Sequence, residues 1–221
     1  DGGDVSKLSQ GLGEVYEILN MDMKPYPCCR SALCAIDAVL DIRRQMEAHM
    51  GLTIRTEGEA EILAEQIQKI EIDTYLVGYK QCAVSDGCLH PKTILDAKFS
   101  TPYSVAAAFL YGTVVMGQFE PEVVEKKAVQ DLLAKVIVQP SDHFTEQYPK
   151  HWGCFMKLTM QDGTCYETEV EDPSGSVERP LSRAQARNKA EEFLSVVCPG
   201  REQETIEKIL NLAGSERLPV I

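Results

Sequence analysis

Apolar positions recur at Ala32, Ile36, Val39, Leu40 and Met46, the 3.6-residue stripe of a packed helix. Gly51 offers that helix a left-handed end. Ahead of it, Lys24-Pro25-Tyr26-Pro27 is held extended, because each proline fixes φ and biases its predecessor away from the α region. Val15 to Asp22, with its β-branched and aromatic content, predicts a strand leading into this segment. Glu57 to Gln66 reads as a short acidic helix. Ile70, Ile72, Thr74 and Leu76 then alternate with Glu71, Asp73 and Tyr75, a half-buried strand. Gly78 to Pro91 reads as a loop with a turn at Ser85-Asp86-Gly87. A helix starting near Pro102 is apolar nearly all round through Met116, which predicts burial. Pro121 to Ala134 predicts another helix, and Lys135 to Val138 a strand ended by Pro140. Gly153–Met160 and Thr164–Glu171 flank Gln161-Asp162-Gly163, a hairpin signal. Helices over Pro180–Cys198, with Ser182 as N-cap, and Glu202–Leu212 close the chain. Strands and helices intermix and include a hairpin, so the fold class is α+β.

Composition narrows the function classes. The 221 residues are 44% hydrophobic and 25% charged, ordinary for a globular protein able to bury a core. A net charge of −12 argues against nucleic acid or an anionic membrane surface as a bulk partner. An anionic ligand would need local cations that outvote that field. No run approaches the ~20 apolar residues of a membrane span, and no signal-peptide pattern opens the sequence. The eight cysteines contain no CxxC pair, so no zinc spacing is signalled and no metal is expected. Free thiols in a reducing cytoplasm are the expectation. The start at Asp1, in a Gly- and Ser-containing stretch, reads as a fragment cut near a domain boundary. Residues 1–13 are then a linker and 14–221 a domain.

The chemistry gathers where the rigid Lys24–Pro27 segment meets a helix N-terminus. There Lys24, Arg30 and the adjacent Cys28 and Cys29 meet exposed backbone N–H groups, which favour anions. An arginine at such a place can grip a carboxylate with two parallel hydrogen bonds. This is a candidate carboxylate-binding corner, of a kind that structural turns share.

Three strings carry a family resemblance. Lys24 to Arg30, KPYPCCR, is followed by AIDA at Ala35–Ala38. Pro91-Lys92-Thr93 leads through Asp96-Ala97-Lys98-Phe99-Ser100 to Thr101-Pro102-Tyr103-Ser104-Val105-Ala106. Asp172-Pro173-Ser174-Gly175 precedes Pro180-Leu181-Ser182. In this order and over most of the chain they resemble the C-terminal domain of the MmgE/PrpD family, which includes 2-methylcitrate dehydratase, cis-aconitate decarboxylase and an iminodisuccinate epimerase. The resemblance implies a mixed or antiparallel sheet with helices packed on one side, and a helical N-terminal domain to which nothing here corresponds. It implies a lyase or isomerase that works without metal or cofactor on small di- or tricarboxylic acids, 2-methylcitrate dehydratase-like, and a homodimer in the full-length protein.

Carried residue by residue, the resemblance implies Lys24 as an acid, base or anion clamp, against the alternative of a solvent lysine. At a helix N-terminus the Cys29 thiolate would be favoured, so Cys29 is a candidate acid or base, against inert packing. Arg30, Lys98, Ser100 and Tyr103 are the candidate substrate-binding groups. Their bland alternatives are a structural ion pair of Arg30 with Asp37, a surface Lys98, a helix-capping Ser100 and a core Tyr103. Two positions depart from the family. Leu33 stands where several relatives carry a histidine, and Cys29 stands where decarboxylase-like relatives do. The histidines at 49, 90, 143 and 151 read as surface residues. The second hypothesis is an inactive family member that serves as a binding or dimerisation module.

Overall fold

The structure, a computed structural model, describes residues 3–212. The chain divides into two units, one formed by Tyr26–Ser174 and one by Asp1–Pro25 together with Gly175–Ile221.

In the Tyr26–Ser174 unit, a short 3-10 turn at Arg30–Ala32 feeds α1 (Leu33–Met50). The helix stops at Gly51, whose φ of 63° suits the left-handed conformation that glycine adopts without steric cost. Then follow α2 (Glu57–Gln66), β1 (Ile67–Thr74), α3 (Leu76–Cys82), α4 (Asp86–Leu89), α5 (Ile94–Lys98) and α6 (Thr101–Tyr111). Next come α7 (Pro121–Val124), α8 (Lys127–Leu133), β2 (Val136–Pro140), α9 (Asp142–Gln147), β3 (Cys154–Met160) and β4 (Cys165–Val170). Local chemistry accounts for several boundaries. Thr56 and Glu59 form a capping box that starts α2, and Thr93 with Asp96 does the same for α5. Ser100 caps α6 and Pro102 occupies its first turn.

The sheet has four strands in the order β2-β1-β3-β4. β1 runs parallel to β2 and antiparallel to β3, and β3 and β4 form the hairpin anticipated from Asp162-Gly163. The sheet is therefore mixed and the fold α+β. One face is apolar: Ile70, Ile72, Met156, Leu158 and Tyr166 are buried there under α1 and α6. From α1 come Ile36, Val39, Ile42 and Met46, and from α6 Val105 and Phe109, all fully buried. Each such side chain contributes about 1.5–3 kcal/mol by leaving water. The other face carries Lys69–Glu71 at 2.8 Å and Lys157–Glu167 at 2.6 Å, the solvated side of a one-sided sheet.

Three expected features changed in this unit. The helix expected to run through Met116 stops at Tyr111, where Gly112 takes a left-handed φ of 71°. Gly78–Pro91, read as a loop, holds the end of α3, which begins at Leu76, and all of α4, the latter started by Ser85, whose hydroxyl accepts from the Cys88 N–H at 3.2 Å. The expected helix over Pro121–Ala134 breaks into α7 and α8 at Lys126, whose backbone is extended.

The other unit contains 3-10 turns at Val5–Ser9 and Glu17–Asn20, α10 (Arg183–Val197) and α11 (Glu202–Leu210). Val15–Asp22, expected as a strand, instead holds the second of these turns, with Ile18 and Leu19 exposed. Ser182 caps α10 through a capping box with Gln185. Gly175 is obligatory here. Its φ is 84°, its carbonyl accepts from the Met23 N–H at 2.7 Å, and an added Cβ would lie 1.9 Å from the Met23 carbonyl oxygen. No helix among the described residues is long and apolar enough to cross a membrane.

Candidate active site

The strand registers put Pro140, Thr74, Cys154 and Val170 in one row, so the carboxyl ends of parallel β1 and β2 share one end of the sheet. Chain leaves or enters the sheet there on every strand, and irregular backbone with side chains free to differ gathers at that end. Local hydrogen bonds fix it. Thr74 Oγ1 donates to the Gly153 carbonyl at 3.1 Å, the Ser141 N–H donates to the Thr74 carbonyl at 2.8 Å, and the Leu76 N–H donates to Thr145 Oγ1 at 2.9 Å.

Three aromatic rings build the wall. Tyr75, buried directly after β1, stacks on Tyr148 with ring centroids 4.8 Å apart and planes 6° from parallel. Trp152 meets both edge-on, at 5.5 Å and 5.1 Å. Its indole N–H donates to the Pro149 carbonyl at 3.0 Å. The Arg30 guanidinium lies over the Trp152 ring, 4.1 Å from the centroid. A planar cation stacked on indole is attracted by the ring quadrupole and loses part of its rotamer freedom in advance. Arg30 is thus a half-buried, pre-oriented cation in the turn that opens α1.

Beside it, Gln81 receives the Ser31 hydroxyl at 2.8 Å and the Cys29 thiol at 3.7 Å on one side-chain oxygen. The Cys29 N–H donates to the Lys98 carbonyl at 2.8 Å. Cys29 also contacts the buried Cys82 thiol. That hydrogen bond, with burial, pushes the Cys82 pKa up, so Cys82 stays a thiol. Burial likewise raises the Tyr75 hydroxyl.

A further pair sits at the same end of the sheet. His151 Nδ1 lies 2.8 Å from Oδ2 of Asp172, a buried carboxylate just beyond β4. Glu171 approaches the same nitrogen at 3.8 Å but is largely exposed. Cys34, in the first turn of α1, is raised by burial first, then by its hydrogen bond with Cys154, and further by Asp37 and Asp172. Asp37 accepts from the Tyr26 hydroxyl at 2.8 Å and from the Ser174 N–H at 2.6 Å. The N-terminal turn of α1, which follows Arg30, is therefore tied to the segment that carries Asp172.

The sequence-predicted residues fall into groups. Cys29 and Arg30 stand together at this end, with the Lys98 backbone tied to Cys29. The Lys98 amine reaches Met116 Sδ at 3.8 Å and the face of Phe119 at 5.6 Å. Ser100 is fully buried; its hydroxyl donates to the Cys88 carbonyl at 2.5 Å and accepts from the Tyr103 N–H at 3.0 Å. Tyr103 is buried too, and donates to the Gln118 carbonyl. Both hydroxyls are engaged in holding α6 and the turn after it. Lys24 belongs to the other unit, where it is exposed and its carbonyl accepts from Lys189 Nζ at 2.6 Å. Sequence reasoning missed Trp152, Tyr148, Tyr75 and the His151–Asp172 pair. A sole tryptophan and the Asp172-Pro173 string were the signals that could have found them.

A groove of about 730 Å³ between α2 and α8 lies elsewhere. Its cations are already engaged: Lys126 with Glu57 and Glu61, Lys127 with Asp131, and Lys135 with the carbonyls of Ala64, Glu65 and Ile67. It offers an anion little that is not taken.

Comparison with known proteins returns the family described as MmgE/PrpD C-terminal domain, matched over residues 26–213. A cis-aconitate decarboxylase-like protein of Aspergillus oryzae is 29% identical over 214 residues, covering 95% of this chain and 41% of the relative. Cis-aconitate decarboxylase of Mus musculus is 27% identical over 127 residues, covering 55% of this chain and 24% of the relative. The chain thus spans less than half the length of either.

Proposed function

From the premise that this chain belongs to the MmgE/PrpD family, we propose that it is the C-terminal part of a cofactor-independent lyase or isomerase acting on small di- or tricarboxylic acids. The observation that supports this most is Arg30, stacked on Trp152 at the carboxyl ends of β1 and β2. A fork of N–H donors, pre-oriented at an irregular sheet end, matches a carboxylate better than a mobile lysine would. Cys29, the preceding residue, carries a half-buried thiol proposed as an acid or base. Lys24 is assigned an acid, base or clamp role on the KPYPCCR string alone, and Lys98, Ser100 and Tyr103 enter as substrate-binding groups on theirs.

Within the family, a 2-methylcitrate dehydratase-like reaction is the reading. Cys29 and Leu33 stand where relatives carry histidines, and Leu33 has no transferable proton, so loss or gain of water is favoured over decarboxylation. The substrate is anionic, the protein a homodimer completed by the remaining length seen in its relatives, and the setting cytoplasmic, which suits eight free cysteines.

The test is turnover of citrate, 2-methylcitrate and cis-aconitate by the full-length protein, following alkene absorbance and CO2 release separately. Absorbance change without CO2 supports the reading, and CO2 release from cis-aconitate replaces it with decarboxylation. A second reading, an inactive binding or dimerisation module, is favoured by Leu33, a buried core residue at a position of expected proton transfer. No turnover of any of the three acids, together with stable self-association, would favour it.

A further inference from the structure

Arg30 supplies a cation for the carboxylate, and besides Cys29 a second group able to move a proton stands at this end of the sheet. We infer that His151 is that group, with Asp172 as its positioning residue and a proton alpha to a substrate carboxylate as its target. The inference rests on the carboxylic-acid reading of the site.

The geometry is specific. Asp172 Oδ2 lies 2.8 Å from His151 Nδ1, and the Asp172 side chain is 6% exposed while the histidine side chain keeps 19%. When ionised, the carboxylate can only accept, an arrangement that suits an imidazole with its proton on Nδ1 and its lone pair on Nε2. A sealed carboxylate behind a partly open imidazole fixes the ring's orientation and stabilises the charged form it takes on accepting a proton. The charged groups seen to face the ring are Asp172 and, more weakly through its exposure, Glu171 at 3.8 Å. The next residue, Trp152, carries Arg30 on its face, and Asp172 acts on Cys34, four positions after Arg30. The cation thus rests on the residue next to the imidazole.

The step balances without a co-reactant. The carbon–hydrogen bond alpha to the carboxylate breaks, the proton goes to Nε2, and the electron pair passes into the neighbouring carboxylate, whose developing charge Arg30 faces. Returning the proton regenerates the substrate, so the step is visible as exchange with solvent even when no product forms.

The experiment uses full-length protein in D2O with citrate, 2-methylcitrate and cis-aconitate, reading turnover and deuterium incorporation across pH. His151→Asn keeps an N–H for Asp172 yet has no group that accepts a proton. It is expected to fold, shown by an unchanged circular dichroism spectrum, to lose roughly 10²–10⁴-fold in kcat and in exchange, to keep KM within a few-fold, and to lose the acid limb of kcat/KM. Asp172→Asn should shift that limb and lose less. Added imidazole should restore part of the exchange in His151→Ala. A folded His151→Asn with wild-type exchange and an unchanged acid limb overturns the assignment and leaves the carboxylic-acid reading standing. Neither turnover nor exchange in the wild type with any of the three acids overturns that reading, and this inference with it.

Discussion

Replacing Arg30 with lysine keeps the charge and removes the fork. In the structure the guanidinium lies 4.1 Å above the Trp152 ring, and Trp152 is itself wedged edge-on against Tyr75 and Tyr148. Two losses follow. The stack itself contributes about 0.5–2 kcal/mol, a flexible ammonium recovers part of it, and Arg30 is not fully buried, so stability should fall by no more than about 1 kcal/mol. Loosening the grip on a carboxylate costs more. A charge-assisted hydrogen bond contributes about 1.5–3 kcal/mol, and losing one of two parallel bonds raises the dissociation constant about ten- to a hundredfold. Trp152→Leu leaves the guanidinium in place but unsupported, and the cost of ordering it, about 0.5–1.5 kcal/mol, then falls on binding. The assay is KM and kcat for Arg30→Lys, Trp152→Leu and the double variant in full-length protein, with thermal unfolding as the fold control. The expected pattern is a large KM effect for Arg30→Lys, a two- to tenfold effect for Trp152→Leu, and a double variant less than multiplicative, since the tryptophan acts through the arginine. Single variants within twofold of wild type in kcat/KM, or fully multiplicative effects, would rule out Arg30 as a carboxylate clamp supported by Trp152.

Other consequences are thermodynamic. Gly175→Ala combines a left-handed φ with a Cβ 1.9 Å from the Met23 carbonyl oxygen, and should cost at least about 3 kcal/mol; Gly200→Ala, at φ 81° with nothing within 4 Å, should cost about 1 kcal/mol, both read by urea denaturation. Arg43 donates to the Phe109 and Leu110 carbonyls at the end of α6 and to the Ile54 carbonyl, and burial lowers its pKa. Arg43→Met strands those acceptors and should destabilise by about 3 kcal/mol or more, with Arg43→Lys intermediate because an ammonium cannot fork. Against the raising effect of burial, hydrogen bonds from Thr168, Gln45 and Arg44 hold the Asp41 carboxyl below its ordinary value. A depressed folded pKa contributes stability that is complete above the unfolded value of 3.8 and is lost as pH falls through the folded one. The stability difference between wild type and Asp41→Asn should therefore be constant near neutrality and shrink below about pH 4, measured by denaturant midpoint.

Short stretches of sequence settled local structure. The stop of α1 at Gly51, the acidic helix over Glu57–Gln66, the alternation of β1 and the Asp-Gly hairpin are each set by a few neighbouring residues, and each formed as read. The three motif strings likewise carried the family without any geometry. Where local signals were weak, tertiary structure decided. Val15–Asp22 has strand-like residues, yet a strand needs a partner's backbone, and a 3-10 turn formed instead. Gly78–Pro91 has loop-like glycines, yet Tyr75 and Cys82 are buried on either side of Gly78 and the segment between coils into α3. Nothing in the local sequence pairs Arg30 with Trp152, or His151 with Asp172; those contacts exist because the sheet registers bring four strand ends into one row. Hydrogen-bonding and φ preferences act within a few residues, whereas a site is assembled by burial of the apolar sheet face, which fixes long-range register and so decides which distant side chains meet.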